Sequence, residues 1–107
     1  MTKYLHNSHV GEILKTEFLG PLNISQNELG HRIKVPENRV HAIVNGQRRI
    51  TADTDLRLCK FFDLSEGYFL RLQNDYETIE AKRKLSKIIV NIEPYIPNDK
   101  KLLLKTK

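Results

Sequence analysis

Along the 107-residue chain, apolar side chains recur three and four positions apart, the spacing that gathers them on one face of an α-helix. Val10, Ile13, Leu14 and Phe18 form a first stripe, expected to end at Gly20-Pro21. Leu29 with Ile33, and then Val40, Ile43 and Val44, form two shorter ones. Thr51 is placed to cap a helix carrying Leu56, Cys59 and Phe62 on its buried side, and Ser65 a helix carrying Tyr68, Phe69, Leu72 and Tyr76. Five helices around one core are expected, an all-α fold. Leu85, Ile88, Ile89 and Ile92 add a sixth segment at helical spacing, stopped by Pro94, although Ile88-Ile89-Val90 alone also fits a strand.

The stretch from Ser25 to Ile50 carries most of the functional information. Ser25 followed three residues later by Glu28 is a capping box, with the hydroxyl accepting from a free N–H and the carboxylate reaching back to the cap. Lys34 and Val35 form a turn, and Pro36 restarts the chain at a first helical position, where its missing N–H is harmless. The second helix then runs over 36–44, closed by Asn45-Gly46, either of which adopts the left-handed conformation readily. Two short helices about a tight turn are the signature of a helix-turn-helix, whose second helix enters the DNA major groove.

On a helical wheel Val40, Ile43 and Val44 pack inward, leaving Asn38, Ala42 and Asn45 opposite them, flanked by Arg39 and His41, with Glu37 near the start. Those are base-reading side chains: Asn suits adenine, Arg guanine, Glu the cytosine amine, and Ala allows close approach. Five basic residues (Arg32, Lys34, Arg39, Arg48, Arg49) against Glu37 give His31–Arg49 a local charge of +4. The reading assigns Gln26, Lys34, Arg48 and Arg49 to phosphates and Asn38, Arg39 and Asn45 to bases, with Arg39 able to do either.

Gln26, Leu29, Val40, Ile43 and Asn45-Gly46 stand where the helix-turn-helix of lambdoid phage repressors (the Xre/Cro type) has its Gln-x-x-Leu start, its packing residues and its Asn-Gly end. More specifically, four ordered blocks resemble the antitoxins of HigA/VapI type, the antidote proteins of addiction modules. They are His9–Leu14, Leu22-x-x-Ser25-Gln26, Arg48–Leu58, and Tyr68-Phe69-Leu70-x-Leu72-Gln73-x-Asp75-Tyr76, and the match spans residues 9 to 80. Val10 replaces a common proline and Lys34 a common turn glycine; a left-handed lysine would be mildly strained. The resemblance implies a five-helix phage-repressor-like domain with a C-terminal helical extension. It also implies repression of the chain's own operon and neutralisation of a RelE-like ribonuclease toxin, while similar stand-alone regulators have no toxin.

The remaining features bound the reading. The expected organisation is a flexible N-terminus over 1–9, a helix-turn-helix domain over 10–76, and a helical extension with a loosely ordered basic tail over 77–107, where eight basic residues face four acidic ones. One cysteine, Cys59, permits no internal disulfide. With no signal peptide and no apolar run of membrane-spanning length, the chain is expected in the cytoplasm, away from membranes. His6-x-x-His9 is the only metal-like spacing and lacks further ligands, and no nucleophile-base pattern or phosphate loop is present. Neither a cofactor, nor a metal, nor enzymatic activity is expected. The expected partners are a palindromic operator in double-stranded DNA, a second copy forming a homodimer, and a RelE-like toxin. The stripe at Leu85–Ile92 needs a covering surface, which the preceding helices, a second copy or another protein could each supply.

Overall fold

The computed structural model describes residues 6–97, which form helices and connecting turns without a strand. The first helix, α1 over 10–22, passes through three geometries: α over Val10–Ile13, π over Leu14–Leu19, and α again over Gly20–Leu22. It is followed by α2 (Gln26–Ile33), α3 (Glu37–Val44), α4 (Ala52–Phe62) and α5 (Tyr68–Ile89). The all-α class and the five-helix count agree with expectation.

Several boundaries differ from expectation, each for a local reason. Gly20-Pro21 does not end α1. In the wider π turn the Gly20 N–H donates to the Lys15 carbonyl, and Pro21, which has no N–H to place, sits at the start of the resumed α turn. The helix stops instead at Asn23, in the left-handed conformation at φ 55°. Pro36 lies one residue before its expected place, as the N-cap of α3 with extended ψ of 143°. The fifth helix and the expected sixth segment are one continuous helix, so residues 85–89 are helical and the strand alternative is excluded. That helix ends at Ile89, well before Pro94, where the Asn91 side-chain amide donates to the Lys87 carbonyl. The expected loose tail, from 98 on, and residues 1–5 lie outside the described residues.

The core gathers Leu14, Leu29, Ile50, Leu58, Cys59 and Phe69, all nearly inaccessible to solvent. Phe18 packs its ring against Phe62 at 4.9 Å and Phe69 at 5.3 Å, tying α1 to α4 and α5. Leu56, expected inside with Cys59, is exposed, because the inward face of α4 runs through Asp55, Leu58 and Cys59 instead.

That inward aspartate caps α5. Ser65 offers only its carbonyl, to the Tyr68 N–H, and its hydroxyl does not cap the helix. Asp55 reaches across from α4: one carboxylate oxygen accepts from the Phe69 N–H at 2.9 Å and the Leu70 N–H at 3.2 Å, the other from Gly67 N–H at 2.7 Å. Three otherwise orphaned donors are satisfied by one buried group, whose charge suits a helix N-terminus. Asp55→Ala should therefore leave one buried and two part-buried N–H groups unpaired and destabilise the fold by about 2–3 kcal/mol, at roughly 1–3 kcal/mol for the buried group and less for the others. Asp55→Asn, which keeps an accepting oxygen, should lose less. A loss below about 1 kcal/mol for Asp55→Ala in urea unfolding would show that the carboxylate is not what holds the start of α5.

Candidate nucleic-acid interface

The helix-turn-helix forms as the capping residues require. The Ser25 hydroxyl accepts from the Glu28 N–H at 3.0 Å, but Glu28 does not complete the capping box; its carboxylate takes Arg32 at 3.2 Å, one turn on. Lys34 closes α2 in the left-handed conformation, at φ 64°, as its turn position demands. Arg57 of α4 secures this turn, donating to the Ile33 carbonyl at 2.9 Å and the Lys34 carbonyl at 3.1 Å while Asp53 holds its other side at 2.7 Å. At the far end of α3, Asn45 keeps a negative φ and Gly46 takes the positive one, 76°.

What fixes α3 from behind is a glycine. A β-carbon at Gly11 would lie 1.9 Å from the Ile43 carbonyl oxygen and 2.9 Å from the Val44 Cα, so the backbones of α1 and α3 meet with no side chain between them. His9 completes the seat. Its Nδ1 accepts from the N–H groups of Gly11 and Glu12, capping α1, and its ring lies under Gly46, 3.3 Å from where a β-carbon would stand. His9 is thus a structural cap, and just before it Asn7 donates to the Tyr76 carbonyl at 3.1 Å and to Glu80 at 3.0 Å. The His6 Nε2 lies 3.2 Å from a Glu12 carboxylate oxygen. Among the described residues no cluster of three or more His, Cys, Asp or Glu is arranged to hold a metal.

The structure brings most of the nominated residues to one surface. Val40, Ile43 and Val44 are buried; Glu37, Asn38, His41 and Asn45 are exposed on the other side, with Ala42 half-buried between them. Arg48 is exposed just beyond the helix and forms no ion pair among the described residues. Three side chains have other engagements. His41 is held between the side-chain amides of Gln26 and Asn27 on α2, with its Nε2 2.8 Å from Asn27 Oδ1, so Gln26, Asn27 and His41 form a clamp between the two helices. Arg39 is half-buried, with its Nε enclosed and unpaired. Arg49 donates from Nε and one Nη, along one edge of its guanidinium, to the two carboxylate oxygens of Glu77 of α5, at 2.6 and 2.9 Å. Lys34 stands apart, on the α4 side of the turn beside Arg57, Lys60 and Phe61, about 12 Å of helix from Arg48.

Sequence reasoning missed Gln73 and Glu77, which hold the loop after α3. Gln73 accepts the Ile50 N–H at 2.7 Å and donates to the Ile50 carbonyl at 2.9 Å, both in the interior. The available signal was polar residues at 73, 77 and 80 interrupting the helical stripe that carries Phe69 and Tyr76. Hydrogen bonding to Arg49 holds the Glu77 carboxyl below its ordinary value of 4.5, and the same bond raises the Arg49 guanidinium.

A helix-turn-helix family profile matches residues 14–69. The chain belongs to that family. It is 37% identical over 84 residues to virulence-associated protein I of Dichelobacter nodosus, with 78% of each chain covered. Antitoxin HigA of Pseudomonas aeruginosa, solved with the higBA promoter, superposes with a TM-score of 0.77 at 38% identity, covering 85% of this chain and all of that one. A HigA-family addiction module antidote protein of Coxiella burnetii gives a TM-score of 0.77 at 42% identity, with the same coverage. The HigA/VapI resemblance carried by the four sequence blocks is thereby established, and the chain is a DNA-binding helix-turn-helix regulator. No helix among the described residues is long and apolar enough to cross a membrane.

Two outcomes follow for this surface. Lys34→Gly should raise stability by about 0.5–1 kcal/mol, because relief of left-handed strain outweighs the added freedom of the unfolded chain; a lower melting temperature would contradict it. Lowering pH should dissolve the Arg49–Glu77 pair, since a depressed carboxyl keeps its contribution above its ordinary value and loses it only as pH falls through the lower one. In Arg49→Ala the Glu77 carboxyl, followed by NMR, should titrate back near 4.5.

Proposed function

We propose that the chain is a sequence-specific repressor that binds the promoter of its own operon as a homodimer, and that it is the cytoplasmic antitoxin of a module whose toxin is a RelE-like ribonuclease. The outward row of exposed Glu37, Asn38 and Asn45 about half-buried Ala42, directly backed by the buried row Val40, Ile43 and Val44, carries this reading. Such a helix can enter a major groove with amide and carboxylate groups facing the base edges, and Arg48 at its end meets the phosphates. The solved Pseudomonas aeruginosa HigA, bound to its promoter, supports the same use of this fold. His41 and Gln26, both nominated for DNA, also touch each other across α2 and α3, and the bases are assigned to Asn38, Asn45 and Arg39.

Dimerisation is argued from the reach of one recognition helix, which covers only a few base pairs, and from the exposed stripe Leu85, Ile88, Ile89 and Ile92. Two copies would set their α3 helices about 34 Å apart, one turn of DNA. Light scattering should give twice the chain mass, free or on operator, and a monomer in both states would refute the dimer. The toxin reading is tested by co-purification with the product of an adjacent gene and by rescue of growth when both are expressed.

Reading and holding should separate on mutation. Asn38→Ala should cost about 1–3 kcal/mol on the operator and relax preference at one base pair, leaving non-specific affinity unchanged. Arg48→Ala should weaken binding to every sequence and reduce the salt slope by about one. Anisotropy titrations on a panel of mismatched operators distinguish the two; an unchanged preference in Asn38→Ala, with the fold intact, would mean that α3 meets DNA by another face.

A further inference from the structure

Arg48 and Arg49 are consecutive, exposed cations in the loop after α3, yet only Arg48 is without an acidic partner among the described residues. Arg49 gives its Nε and one Nη to the two oxygens of Glu77. This fork geometry is the one an arginine would offer to a phosphate, so carboxylate and phosphate compete for the same edge of the guanidinium.

Glu77 is well placed to win. Its helix is fastened one turn earlier, where Gln73 makes both hydrogen bonds to Ile50, and on either side, where Asn7 meets the Tyr76 carbonyl and the Glu80 side chain. The carboxylate therefore stands in a fixed position directly behind the loop, and His9, Gly46, Arg48 and Tyr76 line the same small hollow of about 130 Å³. None of these neighbours offers Glu77 a second ion pair, and none offers Arg49 a second acid. Arg49 itself is 70% exposed, and among the described residues Glu77 is its one ion-pair partner.

We propose that Glu77 is a positioning residue for the DNA contact: by holding Arg49 against α5 it withholds one of the two loop arginines from the phosphate backbone and so limits affinity without touching sequence preference. The proposal rests on the reading of this loop as a phosphate-contacting segment. A repressor that must leave its promoter gains from a contact kept in reserve, since affinity that is independent of sequence also strengthens binding everywhere else on the chromosome.

The test is a double-mutant cycle of Glu77→Gln and Arg49→Ala, read as DNA affinity and its dependence on salt for the full chain, with circular dichroism to verify folding. Glu77→Gln should tighten binding to operator and random DNA alike by severalfold, and steepen the salt slope by about 0.9, one further phosphate contact. Arg49→Ala alone should leave the slope unchanged, and Glu77→Gln added to it should not steepen the slope. An Arg49→Ala slope shallower by about one would overturn the proposal, because Arg49 would already be on phosphate. A slope change from Glu77→Gln that persists without Arg49 would overturn it as well, as would no change from Glu77→Gln at all. Failure of the underlying reading shows itself separately, as an Arg48→Ala variant that binds DNA like wild type.

Discussion

The buried Asp55 carboxylate decides where α5 begins, and much of the molecule is indexed from that point. A charge removed from water is costly unless hydrogen bonds replace its hydration. Here three backbone N–H groups at the mouth of a helix do so. Starting the helix at Tyr68 sends Phe69 into the core and, one and two turns later, sets Gln73 and Glu77 behind the loop that follows α3. A start displaced by one residue would swing all three by about 100°.

The recognition helix, by contrast, is placed by steric exclusion. Gly11 leaves no room for any side chain between α1 and α3, so the two backbones touch and the outward row of α3 is pushed to a defined depth. His41 bridges α3 to Gln26 and Asn27 of α2, and Arg57 closes the turn. A capped end, a close contact and a bridging side chain together hold the outward face of α3 in one orientation against α1 and α2.

Local features were legible in the sequence because they have local causes. Ser25 and Thr51 cap as their types suggest, Lys34 takes the left-handed turn position, and Val40, Ile43 and Val44 face inward as their spacing requires. Long-range partners were not legible. Nothing within a few residues of Asp55 marks it as the cap of a helix twelve positions on, and Ser65 was the better local candidate. The same holds for the surface: charge counting places Arg49, and the helical wheel His41, among the outward groups, whereas the partner Glu77 lies 28 positions from Arg49 and Gln26 lies 15 from His41. Fusion of the last two helical segments escaped notice for another reason, since a polar interval between two apolar stripes describes a loop and a solvated helix equally well.

Because α5 is unbroken, its exposed apolar end and its inner end form a single rod. From Gln73 to Leu85 there are twelve residues, about 18 Å of rise and three full turns plus about 120°. The direction in which the Leu85–Ile89 stripe faces is therefore counted off from the hydrogen bonds to Ile50, in the way that a crank handle is set by its shaft. Adding or deleting one residue between 81 and 84, beyond the Asn7–Glu80 bond, would leave the helices before it as they are and rotate the stripe by about 100°. Whatever grips that stripe has its lever arm, and hence the spacing and twist it imposes on the helix-turn-helix, written in the length of this helix.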